Sequence, residues 1–149
     1  MNDISQRQTR PAGGAESCDV MYPLLHAAHV LEKRLEDALA SVELSLPKYG
    51  ALTVLVQASE PISLSELANR LTCVRSNITQ LVDRLENDGL VRRVDDPADR
   101  RAKRAEVTAL GLRRQAAGER QVALVRDALA RTVADQDRTA LLAALSAIR

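Results

Sequence analysis

The stretch Val91–Gly111, VRRVDDPADRRAKRAEVTALG, constrains this chain more than any other. It reads as a short strand, an acidic turn, an arginine tip, a second strand and the start of a helix. Asp96, Pro97 and Asp99 are turn-forming residues. Arg100, Arg101, Lys103 and Arg104 make the protruding end cationic. A hairpin of this size can lay guanidinium groups against phosphates or into a minor groove.

The segment before it carries helical periodicity broken by a tight turn. Ser63–Glu66, SLSE, has the form of a capping box, in which serine accepts from a backbone N–H and glutamate reaches back. Leu64, Leu67, Ala68 and Leu71 then line one helix face. Thr72-Cys73-Val74 reads as the turn. Ile78, Leu81, Val82 and Leu85 line the following helix, and Gly89 suits a left-handed cap at its end. Two short helices around so tight a turn have helix-turn-helix spacing.

If the leucines of these helices face inward, Arg75, Ser76, Asn77, Thr79, Gln80 and Arg84, with Asp83, are left for the outer side of the second. The first turns of such a helix enter a major groove. Asn and Gln match adenine, Arg matches guanine, and Ser or Thr reaches phosphates or base edges. Single-stranded and RNA binders need aromatic stacking platforms. Tyr22 and Tyr49 are the only aromatic residues, and both lie outside this unit. Double-stranded DNA is the partner the pattern favours.

The flanks read as helices. Leu24, Leu25, Ala28, Leu31, Leu35, Ala38, Leu39 and Val42 recur at spacings of three and four, predicting one long amphipathic helix over 19–42. Pro47 fits the first turn of a second helix that runs to about Ala58. Glu60-Pro61 breaks the chain, and Ile62 can begin a brief strand. Helices are expected over 109–133, with Gly118 as a weak point, and from 135 or 136 to 148. The expected organisation is a flexible arm at 1–18, a dimerisation helix at 19–45, a winged helix-turn-helix at 46–111 and dimerisation helices at 112–149. The fold class is mainly α with a small β-hairpin wing.

Composition supports this. Apolar residues make up 46% of the chain, yet Phe and Trp are absent, so the core must be aliphatic. The net charge is only +1, but residues 70–104 hold nine Lys or Arg against six Asp or Glu. Cys18 and Cys73 make no disulfide framework. No run is long enough to span a bilayer, and the first residues lack an apolar signal core, so a cytoplasmic protein is expected. No Gly-rich phosphate loop, catalytic grouping or metal-spaced cluster occurs, which argues against an enzyme, a cofactor or a metal site. His26 and His29 are helical neighbours with no further histidine to join them.

The motifs resemble the MarR-type transcription regulators. Asp96-Pro97-x-Asp99-Arg100-Arg101 followed by Thr108-x-x-Gly111 is similar to that family's wing signature. Leu67-Ala68-x-x-Leu71 and Leu81-Val82-Asp83-Arg84-Leu85-Glu86-x-x-Gly89-Leu90-Val91 are similar to its reading unit. The resemblance implies a homodimer on a pseudopalindromic operator, acting as a repressor. It implies that Arg101 is the minor-groove arginine, oriented by Asp99. It also implies release by a small phenolic or lipophilic ligand, with Tyr49 near the pocket, or by oxidation of a cysteine. Cys18 and Tyr22 have the spacing of the organic-peroxide-sensing branch. Counting back from Tyr49, however, puts Met21 rather than Cys18 at the sensing position, so ligand control is the preferred reading. The rival from another class is a winged-helix protein-interaction module, which would lack salt-dependent DNA affinity.

Overall fold

A computed structural model describes residues 20–71, 78–99, 101–134 and 136–148 of the chain. The element order is α1 (Met21–Ala40), α2 (Leu46–Ala58), β1 (Ile62–Ser63), α3 (Leu64–Arg70), α4 (Ile78–Asn87), β2 (Val91–Asp95), β3 (Lys103–Val107), α5 (Ala109–Thr132) and α6 (Arg138–Ala147). The expected class, mainly helical with a small wing, is what the chain adopts. The wing carries one strand more than a hairpin, because Ile62 and Ser63 pair antiparallel with Ala105 and Arg104 to give the order β1-β3-β2.

Each boundary has a local cause. Ser45 caps α2 by accepting from the Lys48 N–H, with Pro47 in the first turn. Ser63 caps α3 by accepting from the Glu66 N–H at 3.1 Å. The capping box is only half used, since the Glu66 carboxylate turns to Arg70 one helical turn on. Gly89 ends α4 in the left-handed region, φ 71°, and the Leu90 N–H then reaches back to the Leu85 carbonyl at 2.9 Å.

The core is aliphatic throughout. Leu39, Ala51, Leu52, Leu55, Leu67, Val82, Leu85, Val91 and Ala105 are among its buried residues, and α2 is central, touching α1, α3, α4, α5 and β3. Leu64, Leu71 and Ile78 pack against its edge, whereas Ala68, read above as inward, is exposed. The first half of α1 stays in solvent, with Met21, Tyr22 and Leu25 exposed. No residue of α6 is buried.

Two glycines set close approaches. A Cβ on Gly111 would lie 2.1 Å from the Leu90 carbonyl oxygen. Thr108 closes the same junction. Its N–H donates to that carbonyl, its hydroxyl donates to the Gly89 carbonyl at 2.7 Å, and its oxygen accepts from the Gly111 N–H. The Thr108-x-x-Gly111 motif is therefore a joint between the wing and α5. Gly118 is likewise a contact rather than a weak point, since a Cβ there would meet Tyr49 Cδ2 at 2.8 Å and Leu44 Cδ1 at 3.0 Å. Both glycines should resist alanine, but unequally. At Gly118 flexible side chains can yield, and the gain in helix propensity of about 1 kcal/mol offsets part of the clash. At Gly111 the obstacle is backbone, so the loss should reach the upper end of the overpacking range, about 3 kcal/mol. Urea unfolding of the two variants should rank Gly111→Ala clearly below Gly118→Ala; equal midpoints would contradict the joint.

Candidate nucleic-acid interface

α4 presents two chemically distinct sides. Leu81, Val82 and Leu85 point into the core. Thr79, Gln80 and Arg84 are exposed on the outer side, as the spacing predicts, and among the described residues no carboxylate pairs with Arg84. Asp83 behaves differently from its neighbour. Instead of joining the outward set, it turns to Arg93 of β2, whose Nη2 lies 2.5 Å from Asp83 Oδ1. Arg75, Ser76 and Asn77 lie outside the described residues, as do Arg100 of the wing, Cys73, Val74 and the expected arm with Cys18.

The wing follows from its register. Val91 faces Val107, Arg93 faces Ala105 and Asp95 faces Lys103. Side chains alternate along a strand, so these pairs share the inner side, while Arg92–Glu106 and Val94–Arg104 share the outer. At the tip, Asp96 and Asp99 each accept from a backbone N–H two residues on, Ala98 at 2.8 Å and Arg101 at 2.9 Å. These Asx turns fold the loop. Asp99 thus orients the Arg101 main chain, and among the described residues no ion pair engages the exposed Arg101 guanidinium.

Apart from Arg93, the strand cations are engaged within the wing. Arg92 pairs with Glu106 and Lys103 with Asp95, directly across the ladder. Arg104 donates to Asp96 at 2.7 Å and to the Pro61 carbonyl at 3.3 Å, tying the wing base to the β1 approach. Hydrogen bonds from Arg104 first, and from the Ala98 N–H next, hold the Asp96 carboxyl below its ordinary range. Of the cations read as the tip, Lys103 and Arg104 are charge-compensated, and Arg101 projects.

Sequence reading missed Arg93 as a structural partner of α4. The available signal was an acid pair three residues apart, Asp83 and Glu86, on a helix followed by a strand bearing an inward arginine.

Tyr49, the residue expected near a ligand pocket, braces α2 against α5. Its hydroxyl donates to Glu119, which also accepts from Arg126 Nη2 at 2.7 Å. Burial first, and the Glu119 contact next, raise the Tyr49 pKa; the tyrosine hydroxyl and then Arg126 lower that of Glu119. Tyr49 lines neither of two clefts. One, of about 390 Å³, lies where α1–α2, the end of α4 and the start of α5 meet, lined by Glu43, Lys48, Asp88, Leu90, Leu110 and Arg114. The other, of about 470 Å³, is an open groove between α1 and α5 around Ala38 and Leu124. Among the described residues no group of three potential metal ligands gathers, and no helix is long and apolar enough to cross a membrane.

The family model for the MarR family matches residues 44–103. The structure also superposes on AbsC, a MarR family transcriptional regulator from Streptomyces coelicolor, with a TM-score of 0.76 and 30% identity over 94% of this chain and 95% of that one. The chain belongs to the MarR family. A further MarR-like structure, the transcriptional repressor CouR bound to a 23-mer DNA duplex, superposes with a TM-score of 0.75 and 27% identity, covering 94% of this chain and 99% of that one. In sequence, the HTH-type transcriptional regulator PrsX of Escherichia coli is 32% identical over 108 residues, which is 72% of this chain and 65% of that relative. This MarR-family chain thus spans slightly less than two thirds of that curated relative.

The Asp96 geometry sets a pH dependence. Its folded pKa is depressed, so its contribution to stability is complete above the ordinary aspartate value of about 3.9 and is lost as pH falls through the lowered folded value. The urea midpoint of the parent chain should therefore fall more steeply on acidification than that of Asp96→Asn. Parallel acid profiles for the two proteins would contradict the Arg104–Asp96 tie.

Proposed function

We propose that this protein is a sequence-specific, duplex-DNA-binding transcription regulator. It acts in the cytoplasm as a homodimeric repressor on a pseudopalindromic operator. The observation that carries the reading is one juxtaposition. Thr79, Gln80 and Arg84 are exposed on α4 and Arg101 is exposed at the wing tip, and ion pairs from Arg93 of β2 to Asp83 and Glu86 join the wing to that helix. In this reading α4 enters a major groove, and Arg75, Ser76 and Asn77, which precede it in sequence, join the contact. Arg100 and Arg101 reach the adjacent minor groove, while Asp99 shapes the tip and Lys103 and Arg104 lend charge beside the phosphates. The similarity to a repressor bound to a DNA duplex supports this.

Dimerisation is supported by apolar surface that the protomer leaves uncovered: Met21, Tyr22 and Leu25 on α1, Leu124 on α5, Leu142 on α6 and Ile148 just after it. Two reading helices at one spacing then match two half-sites. Release by a small phenolic or lipophilic ligand is supported by the cleft between Lys48, Asp88, Leu90 and Arg114, which touches both the reading unit and α5. A ligand that prefers another spacing lowers DNA affinity by linkage. A ligand that hydrogen-bonds to the Tyr49 hydroxyl competes with Glu119 for it.

Selection of bound duplexes from a random pool should recover an inverted repeat; recovery of no preferred sequence would overturn the reading. On the recovered operator, Arg101→Ala should weaken binding by about 1–3 kcal/mol without unfolding the protein. An unchanged titration would remove Arg101 from the interface. Sedimentation at micromolar concentration should give twice the chain mass, and a well-folded monomer would refute the dimer.

A further inference from the structure

Arg93 takes no part in the outward-facing set, yet three of its groups are engaged. It lies on the inner face of β2, two residues beyond Val91, where the aliphatic floor of the sheet gives out. Its Nη2 donates to Asp83 at 2.5 Å and its Nη1 to Glu86 Oε2. Its backbone N–H donates to the other Glu86 oxygen, Oε1, at 3.1 Å. Its side chain is 24% exposed, less than either carboxylate. Asp83 and Glu86 stand three residues apart, so they lie on one flank of α4 at successive turns.

The buried side of α4 is aliphatic, from Leu81, Val82 and Leu85, and just past its end Asp88 pairs with Lys48 of α2. Aliphatic contacts are non-directional and leave the angle of the helix about its own axis loosely set. Two polar anchors on one flank do set it. The side-chain tips lie roughly 5–6 Å from the helix axis, so a roll of about 20° carries them roughly 2 Å sideways. A hydrogen bond tolerates only about 0.5 Å of spread in its length. A small roll therefore removes base contacts, while charge near the phosphates changes little. The other wing pairs, Arg92–Glu106 and Lys103–Asp95, run strand to strand and cannot orient the helix.

We propose that Arg93 is a positioning residue that fixes the roll of α4 against the wing, and so governs discrimination between sequences rather than overall affinity for duplex. The proposal rests on the DNA-binding reading above and names the device by which that site would read bases.

The test uses two variants of opposite charge effect. Arg93→Met removes a cation; Asp83→Asn with Glu86→Gln removes two anions. Full-length proteins, checked for native circular dichroism, are titrated at one salt concentration. The duplexes are the selected operator, single-base variants of it, and an unrelated sequence. Affinity for the unrelated duplex should follow charge, falling in the first variant and rising in the second. The ratio between operator and single-base variants should fall about tenfold in both, the size of one lost base contact. A ratio that moves in opposite directions, or that is unchanged in both, overturns the proposal. Arg93→Lys keeps the charge and the stem but not the two-pronged fork, and is the arm to use if the others do not fold. It should lose several-fold in the ratio, and an unaltered ratio overturns the proposal equally. If the parent protein itself selects no duplex, the DNA-binding reading has failed before any variant is compared, so the two failures are distinguishable.

Discussion

The architecture depends on a single close approach: the Leu90 carbonyl seated on the first turn of α5, where Gly111 leaves room for it. The chain leaves α4, runs out along β2, returns along β3 and must re-enter the body at α5. Thr108 ties the outgoing and returning ends to one another through three hydrogen bonds around the same carbonyl and turn. With both ends pinned there, the wing has one root. Its direction relative to α5 is set by backbone contacts, which deform less than side chains. Buried backbone groups must find partners, and here the partners are also what join the two parts.

Beyond that root, polar pairs take over from the core. The inner face of the wing passes from Val91 to Arg93 to Asp95, from buried to half-buried to exposed. The aliphatic core cannot extend along a two-stranded projection, and ion pairs replace it. The consequence for electrostatics is that the wing is mostly self-neutralised along its length, with positive potential left to its end. Surface pairs of this kind are individually weak, so Lys103 can leave Asp95 for a phosphate at small cost. Arg104 is held by two partners and is less free to do so.

Much of this was legible in the residues. The turn around Asp96-Pro97 and Asp99 announced itself because aspartates bond to N–H groups two residues away, a local rule that needs no tertiary context. The left-handed Gly89 and the Ser63 cap were readable for the same reason. What the sequence hid was choice of partner. Lys103, Arg104 and Arg101 look alike in a string, and only the folded wing decides that Lys103 faces Asp95 across the ladder while Arg104 reaches Asp96 at the turn. Asp83 looked outward by helical period, yet Arg93 comes to it from a strand ten positions away. Gly118 read as a helix flaw because its neighbours, Tyr49 and Leu44, lie some seventy residues earlier. The masking of tertiary choice by local pattern is the common cause.

The bareness of α6 has a consequence of its own. A ten-residue helix is marginal in water, and this one buries no residue in the protomer, although Asp137 caps its start. Its order is thus on loan from whatever surface covers it. Mass action then ties the helix content of this end of the chain to how much of the covering partner is present. If the partner is a second copy, the amount of protein in the cell becomes an input to its own folding. Dilution, with no ligand at all, would be enough to loosen the terminal helix.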